Sequence, residues 1–409
     1  MKKYFPLLLI MFCIPSLGMA SDGKGIFIGP VPVEFVFFGF ILLGVAVFHN
    51  NTLSVALSGL VVIVLYKLFF TDFNILSHLL HEEETLLNLS GLLLGFAVLS
   101  WQFDQSKLPD KMPHYLPDDW KGGFVLLLIV FILSAFLDNI AGAMIGGTIA
   151  FKVYKGKVHI GFLAAIVAAS NAGGAGSVLG ATTTTMMWIA GAPAHIFLKA
   201  YIGSVVAFIF FGIIASIQQD KFQRIEKDSP LGMKIDYSRL IIVGLMLVGA
   251  VMANIFYDMP ALGLWIAIAI GALLRKTDWK QVQNAIPGTL FLLALVFTAS
   301  MMPVKYLPSP SGESSFVLGL VSAVFDNIPL IELTLKQDGY DWGILGFAVG
   351  FGGSILWFGS SAGVALCNSF PEARSVYNWA RYGWHIGVAY VLGFLIMIWL
   401  SGWQPIYLK

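Results

Sequence analysis

Two short stretches of this 409-residue chain set an aspartate beside an asparagine inside apolar runs: Ser134-Ala135-Phe136-Leu137-Asp138-Asn139-Ile140 and Ser322-Ala323-Val324-Phe325-Asp326-Asn327-Ile328. A carboxylate at such a place is costly and is kept with a partner, an ion or a proton. Asp138 and Asp326 are therefore the leading candidates to bind a hard cation, Na⁺ or Li⁺, together with carbonyls freed at helix breaks. Desolvation favours the uncharged form of a carboxylate, so protons compete with the cation. That competition is the chemistry of an antiporter. Asn139 and Asn327 supply amide oxygens, or cap the helical arm that follows each aspartate.

A second pair of motifs follows the first. Gly173-Gly174 leads to Gly180-Ala181-Thr182, and Gly352-Gly353 leads to Gly359-Ser360-Ser361. Glycine lets backbone approach a ligand without a side chain in the way. Thr182 and Thr183, and Ser360 and Ser361, then open new half-helices, where hydroxyls and free backbone groups converge. A half-helix N-terminus favours an anion, whereas unwound carbonyls favour a cation, so the breaks alone leave the sign of the substrate open. Asn171 precedes the first break and serves either purpose. Elsewhere, His78, His81 and Glu82 to Glu84 read as a solvated helix end, Lys67 and Lys199 as side chains reaching the interface, and Glu332 and Lys336 as an ion pair four residues apart on one helix.

The elements that position these residues belong to a membrane. Hydrophobic residues make up 58% of the chain and charged ones only 11%, against about 25% charged in soluble domains, and the mean hydropathy is +0.83. A net charge of +1 offers no basic footprint for nucleic acid. Two cysteines, Cys13 and Cys367, support neither a disulfide framework nor a thiolate zinc site. No nucleophile, base and orienting group fall together, and no Gly-x-x-x-x-Gly-Lys-Ser/Thr occurs, so neither an enzyme nor an ATP-driven pump is expected, and no cofactor.

Residues 1–20 read as a cleavable signal peptide or a first membrane helix. Spans are expected at 31–48, 52–70, 86–103, 195–216, 238–256, 259–274, 286–303 and 384–402. Four apolar segments, 122–151, 159–192, 316–336 and 342–368, carry polar or Gly-rich centres. Reading 122–151 and 316–336 as re-entrant hairpins returns every basic cluster to the cytoplasm, as the positive-inside rule asks, and puts the carboxyl end in the periplasm. Segments 159–192 and 342–368 are then broken membrane helices. The halves, 31–216 and 238–402, carry the same order of motifs in opposite orientations. The expectation is an all-α polytopic membrane protein of the bacterial inner membrane, with inverted repeats, two re-entrant hairpins and two broken helices around a midplane site, which is secondary-transporter architecture.

At these residues the chain resembles the ion transporter superfamily, and within it the NhaD-type sodium/proton antiporters. The resemblance rests on Ser134 to Ile140, on Ala169 to Trp188, on Ser322 to Leu330 and on Gly350 to Val364. It implies a moving transport domain on a static scaffold, often in a homodimer, with the bilayer and small ions as partners. One position departs from the pattern. These antiporters usually carry an aspartate after the glycine of the first break, and here it is Ala181. Related branches move citrate, dicarboxylates or arsenite, so a cation-coupled citrate or dicarboxylate symporter is the alternative.

Overall fold

In lipid, a long apolar run satisfies its backbone as a helix. The computed structural model, which describes residues 26–48, 51–226 and 234–408, is helical nearly throughout, apart from a two-residue strand pair, Phe27–Ile28 with Val31–Pro32. The expected leader, residues 1–20, lies outside the described residues. In chain order the helices are α1 (Val33–Val47), α2 (Thr52–Phe70), α3 (Ile75–Gln105), α4 (Leu108–Lys111), α5 (Trp120–Ser134), α6 (Asn139–Val153), α7 (Ile160–Gly174), α8 (Thr182–Ile189) and α9 (Ala200–Phe222). They continue as α10 (Tyr237–Tyr257), α11 (Pro260–Leu274), α12 (Lys280–Ser300), α13 (Gly312–Ser322), α14 (Asn327–Gln337), α15 (Trp342–Gly352), α16 (Ser361–Ser369), α17 (Val376–Tyr382) and α18 (Trp384–Ser401).

Among the described residues, six helical segments are long and apolar enough to cross a membrane: Thr52–Phe70, Ile75–Gln105, Ala194–Phe222, Tyr237–Tyr257, Lys280–Ser300 and Trp384–Ser401. The chain is an all-α polytopic membrane protein. One boundary differs from expectation. Residues 75–85, ahead of the span expected at 86–103, form the first turns of α3, because Asn74 caps them by accepting from the amides of Leu76 and Ser77 at 3.0 and 3.1 Å.

The helices sort into two bodies. α3 packs on α10, α11 and α12, while α1 and α2 continue this panel through α12. α9 is the hub of a bundle with α5, α7, α15 and α18. α14 bridges the two, packing on α12 of the panel and on α8 of the bundle.

Four interruptions lie in the bundle. Between α5 and α6 the chain turns at Asp138, and the arms lie side by side, Gly142 against Ser134 and Gly146 against Val130. α13 and α14 meet likewise at Asp326, but these arms scarcely touch beyond the turn. α7 and α8, and α15 and α16, are each separated by an irregular stretch. Gly173 and Gly352 show why glycine is needed beside the breaks: a Cβ on Gly173 would overlap the backbone oxygen of Phe131, and one on Gly352 that of Gly319. The same backbone-to-backbone approach therefore occurs in both halves of the chain.

Polar contacts gather at two opposite ends. One end holds Gln102 with Thr277 (3.2 Å), Lys152 with Asp110 (2.6 Å) and Gln219 with the backbone of Lys157 and His159. The other holds Lys67 with Glu34 (3.3 Å), His78 with Ser300 (2.8 Å), Lys336 with Glu82, and Lys199 with Asp341 and the Gly402 carbonyl. Lys67 and Lys199, expected to reach the interface singly, are thus held in ion pairs. Lys336 bonds Glu82 of α3, not Glu332 of its own helix, because the early start of α3 brings a second carboxylate within reach. At this end residues 404–408 run beside the approach to α15: Gln404 N donates to Asp341, Trp342 Nε1 to the Ile406 carbonyl, and Leu408 N to Asp338.

Candidate ion-binding site

Each Asp-Asn pair sits where a helix begins. Asp138 caps α6, its Oδ2 accepting from the Ile140 amide at 3.2 Å, and Asp326 caps α14, its Oδ1 accepting from Ile328 at 3.0 Å. Both aspartates are buried. The second oxygens differ. Asp326 Oδ2 accepts from the Ser361 hydroxyl at 3.1 Å. Asp138 Oδ1 is buried with no hydrogen-bond partner among the described residues. Of the other buried hydroxyls without a partner among the described residues, Ser134 Oγ and Thr183 Oγ1 belong to the hairpin and the break, whereas Ser322, the counterpart of Ser134, donates to the Val349 carbonyl at 2.8 Å. At the motif positions themselves, Asp138 and Ser134 thus keep an unused oxygen where Asp326 and Ser322 are satisfied.

Asn171 joins the halves. Its Oδ1 accepts from Asn139 Nδ2 at 2.8 Å, and its Nδ2 donates to Ser354 Oγ at 2.9 Å and Ser360 Oγ at 3.1 Å. Ser360 in turn caps α16 by accepting from the Gly363 amide at 3.3 Å. Ser170 Oγ donates to the Asn139 carbonyl at 2.7 Å, fixing the start of α6 from the other side. With both N–H groups committed, Asn171 positions its neighbours. Asn327 is buried at the start of α14 and has no such partners among the described residues.

The break before α8 is closed by its own hydroxyls. Thr184 Oγ1 donates to the Ser177 and Ala181 carbonyls at 2.6 and 2.9 Å, and Thr185 Oγ1 to those of Val178 and Ala181 at 2.7 and 3.0 Å. That leaves Thr182 and Thr183 as the hydroxyls of this segment not spent on backbone. Gly174 closes on the Gly180 backbone and Gly353 on that of Gly359, while the Gly173 carbonyl accepts from Tyr201 at 3.1 Å. These glycines therefore shape the breaks by close packing.

Access comes between the two bodies. A cavity of about 570 Å³ runs from Asp138 along α6, past Ile140, Met144, Thr148 and Lys152, with Phe96, Ala97 and Asp104 of α3 and Asn284, Gly288 and Thr289 of α12 as its far wall. A smaller one, about 200 Å³, reaches Asp326 and Ser361 and shares Ile140, Gly288 and Leu292 with the first. Among the described residues Lys152 is the one lysine or arginine lining the larger cavity, and it is bonded to Asp110, which lines it too. Sequence reasoning missed Ser134, Ser354 and the α12 wall. Ser134 and Ser354 lie inside quoted motifs and were findable, whereas the wall comes from a helix with no marker of its own.

A family model described as citrate transporter matches residues 25–352. The chain belongs to that family. Among its curated relatives, Sodium/proton antiporter 1 of Arabidopsis thaliana is 27% identical over 66% of this chain and 54% of its own length. The chain thus spans about half of that relative. Sodium/proton antiporter 2 of the same plant is 24% identical over 66% of this chain and 74% of its own length. Na(+)/H(+) antiporter NhaD of Halomonas elongata is 25% identical over 78% of this chain and 77% of its own. These matches bear out the resemblance: the chain is an NhaD-like member of the ion transporter superfamily, in a family of transporters, not of enzymes.

Proposed function

We propose that this protein is a secondary transporter of the cytoplasmic membrane that exchanges Na⁺ or Li⁺ for H⁺. The observation that carries the reading is Asp138: one carboxylate oxygen anchors α6, and the other lies buried and unpartnered at the head of a cavity open at one end. Asp138 and Asp326 hold cation or proton in turn, with Thr182, Thr183, Ser360, Ser361 and backbone around the glycine pairs completing the shell as the two bodies shift. The relatives named sodium/proton antiporters support this direction.

In this reading α5–α6 and α13–α14 are re-entrant hairpins, the halves are inverted repeats, and the end bearing Lys152, Lys157 and Arg275 is cytoplasmic by the positive-inside rule. The duplicated glycine contacts support the repeat. The cavity then faces the cytoplasm and the carboxyl end the periplasm. A homodimer, expected from the resemblance, belongs to the same reading and is tested by light scattering in detergent. A citrate symporter fits less well, since the cation lining the cavity is already committed to Asp110.

The test is pH-dye fluorescence in energised everted vesicles from a host lacking sodium antiporters, with Na⁺, Li⁺, K⁺ and citrate added in turn. Dequenching by Na⁺ or Li⁺, abolished in Asp138→Asn and Asp326→Asn, is expected. Silence to every cation alongside Na⁺-dependent citrate uptake would replace the antiporter with the symporter.

A further inference from the structure

α14 carries two charged residues beyond Asp326. Glu332 is 2% exposed and has neither an ion-pair nor a hydrogen-bond partner among the described residues, and Lys336, one turn on, is bonded to Glu82 of α3. The elements packed on α14 carry few other charges: α8 has none, Lys280 opens α12, Glu313 lies in the first turn of α13, Lys305 of the Val304–Tyr306 turn is exposed over the Tyr306 ring, and Asp341 before α15 is taken by Lys199. Lys336 and Glu82 are the charges Glu332 faces, with His78 of α3 beyond them.

The repeated motif gives these residues a register. Aligning Asp326 with Asp138 sets Glu332 on Met144 and Lys336 on Thr148. Met144 and Thr148 are walls of the cavity that leads to Asp138. So Glu332 and Lys336 hold on α14 the positions that line the cavity on α6, while α14 packs on α12 and Lys336 is bonded to Glu82 of α3.

We propose that Glu332 is a third, proton-carrying carboxylate of the exchange reaction, loaded and unloaded as Lys336 swaps partners between Glu82 and Glu332. With Lys336 held by Glu82, Glu332 is buried with no ion pair or hydrogen bond of its own among the described residues, a setting in which a carboxyl keeps its proton because burying an unpaired charge is costly. When the far side opens, the Lys336–Glu82 bond parts. Lys336 then meets Glu332, four residues away on the same helix, and the proton leaves Glu332 for water as the ion pair forms. One proton is thus tied to each opening of that side. This rests on the antiporter reading above.

The test is the coupling ratio in proteoliposomes: the opposing proton gradient at which ²²Na⁺ flux through the full-length protein is zero, for wild type, Glu332→Gln, Glu332→Asp and Lys336→Gln. Glu332→Gln is expected to keep Na⁺ exchange while its null point moves by one proton per turnover, with Glu332→Asp at the wild-type value. Lys336→Gln, which removes the exchange partner but leaves Glu332 in place, is expected to match Glu332→Gln, and it decides the matter if Glu332→Gln does not reach the membrane. A wild-type null point in either Gln variant overturns the proposal. Absence of Na⁺ flux in the wild type would instead sink the antiporter reading on which it stands.

Discussion

Replacing Asn171 by alanine removes one side chain and three buried hydrogen bonds, to Asn139, Ser354 and Ser360. A buried hydrogen bond contributes about 0.5–1.5 kcal/mol net, and bonds between membrane helices average near the low end, about 0.6 kcal/mol. Three of them give about 2–4 kcal/mol, or roughly a 30- to 1,000-fold change in the unfolding equilibrium. Asn139 Nδ2 is left without its acceptor, so relaxation recovers little. The measurement is reversible unfolding in mixed detergent micelles, with and without saturating Na⁺. Because the bonds are protein to protein, the loss is expected in full without Na⁺ and nearly unchanged with it. If Asn171→Ala is as stable as wild type without Na⁺ and loses only the added stabilisation by Na⁺, then Asn171 is a ligand and the positioning argument is wrong.

Gly173→Ala drives a methyl into the Phe131 carbonyl, and since backbone cannot yield as a side chain does, about 1–3 kcal/mol of destabilisation is expected, read by the same unfolding assay. Gly244→Ala, where open space surrounds the glycine, should cost far less. Ser361→Ala frees Asp326 Oδ2. Losing a hydroxyl bond to a carboxylate, worth about 1.5–3 kcal/mol, should shift half-saturation for Na⁺ by roughly ten-fold or more, read from dequenching titrations. Lys152, bonded to Asp110, holds that carboxyl below its ordinary value of 3.8. The stabilisation is therefore present above about pH 4 and lost as pH falls through the lowered value. Asp110→Asn should cost about 0.5–1 kcal/mol, given the part-exposed pair, and by the same amount from neutral to alkaline pH. A penalty that varies across that range would refute it.

Much of the fold was legible because membrane solvation leaves few choices: apolar runs became helices, and Asp138, Asp326 and the glycine pairs marked where helices stop. The site was legible as a set of motifs but not as a network. Asn171 serves either purpose by residue type, and only the fold shows that Ser354 and Ser360, from the other half, take up its two N–H groups. The i,i+4 rule pointed Lys336 at Glu332, yet a cap at Asn74 lengthens α3 and brings Glu82 in first. Local spacing cannot register such a rival from another helix. The cavity was invisible for the same reason, since half its wall is α3 and α12.

The stretch from Gln404 to Leu408 is stitched to Asp338, Asp341 and Trp342, and Lys199 ties the same aspartate to Gly402. α15 and α18 are thereby belted together at one rim, so neither can tilt without carrying the belt. A fluorophore placed at Leu408 would report on the broken helix that bears Gly352 and Gly353, making it a handle for asking in single molecules whether that helix shifts when Na⁺ is added.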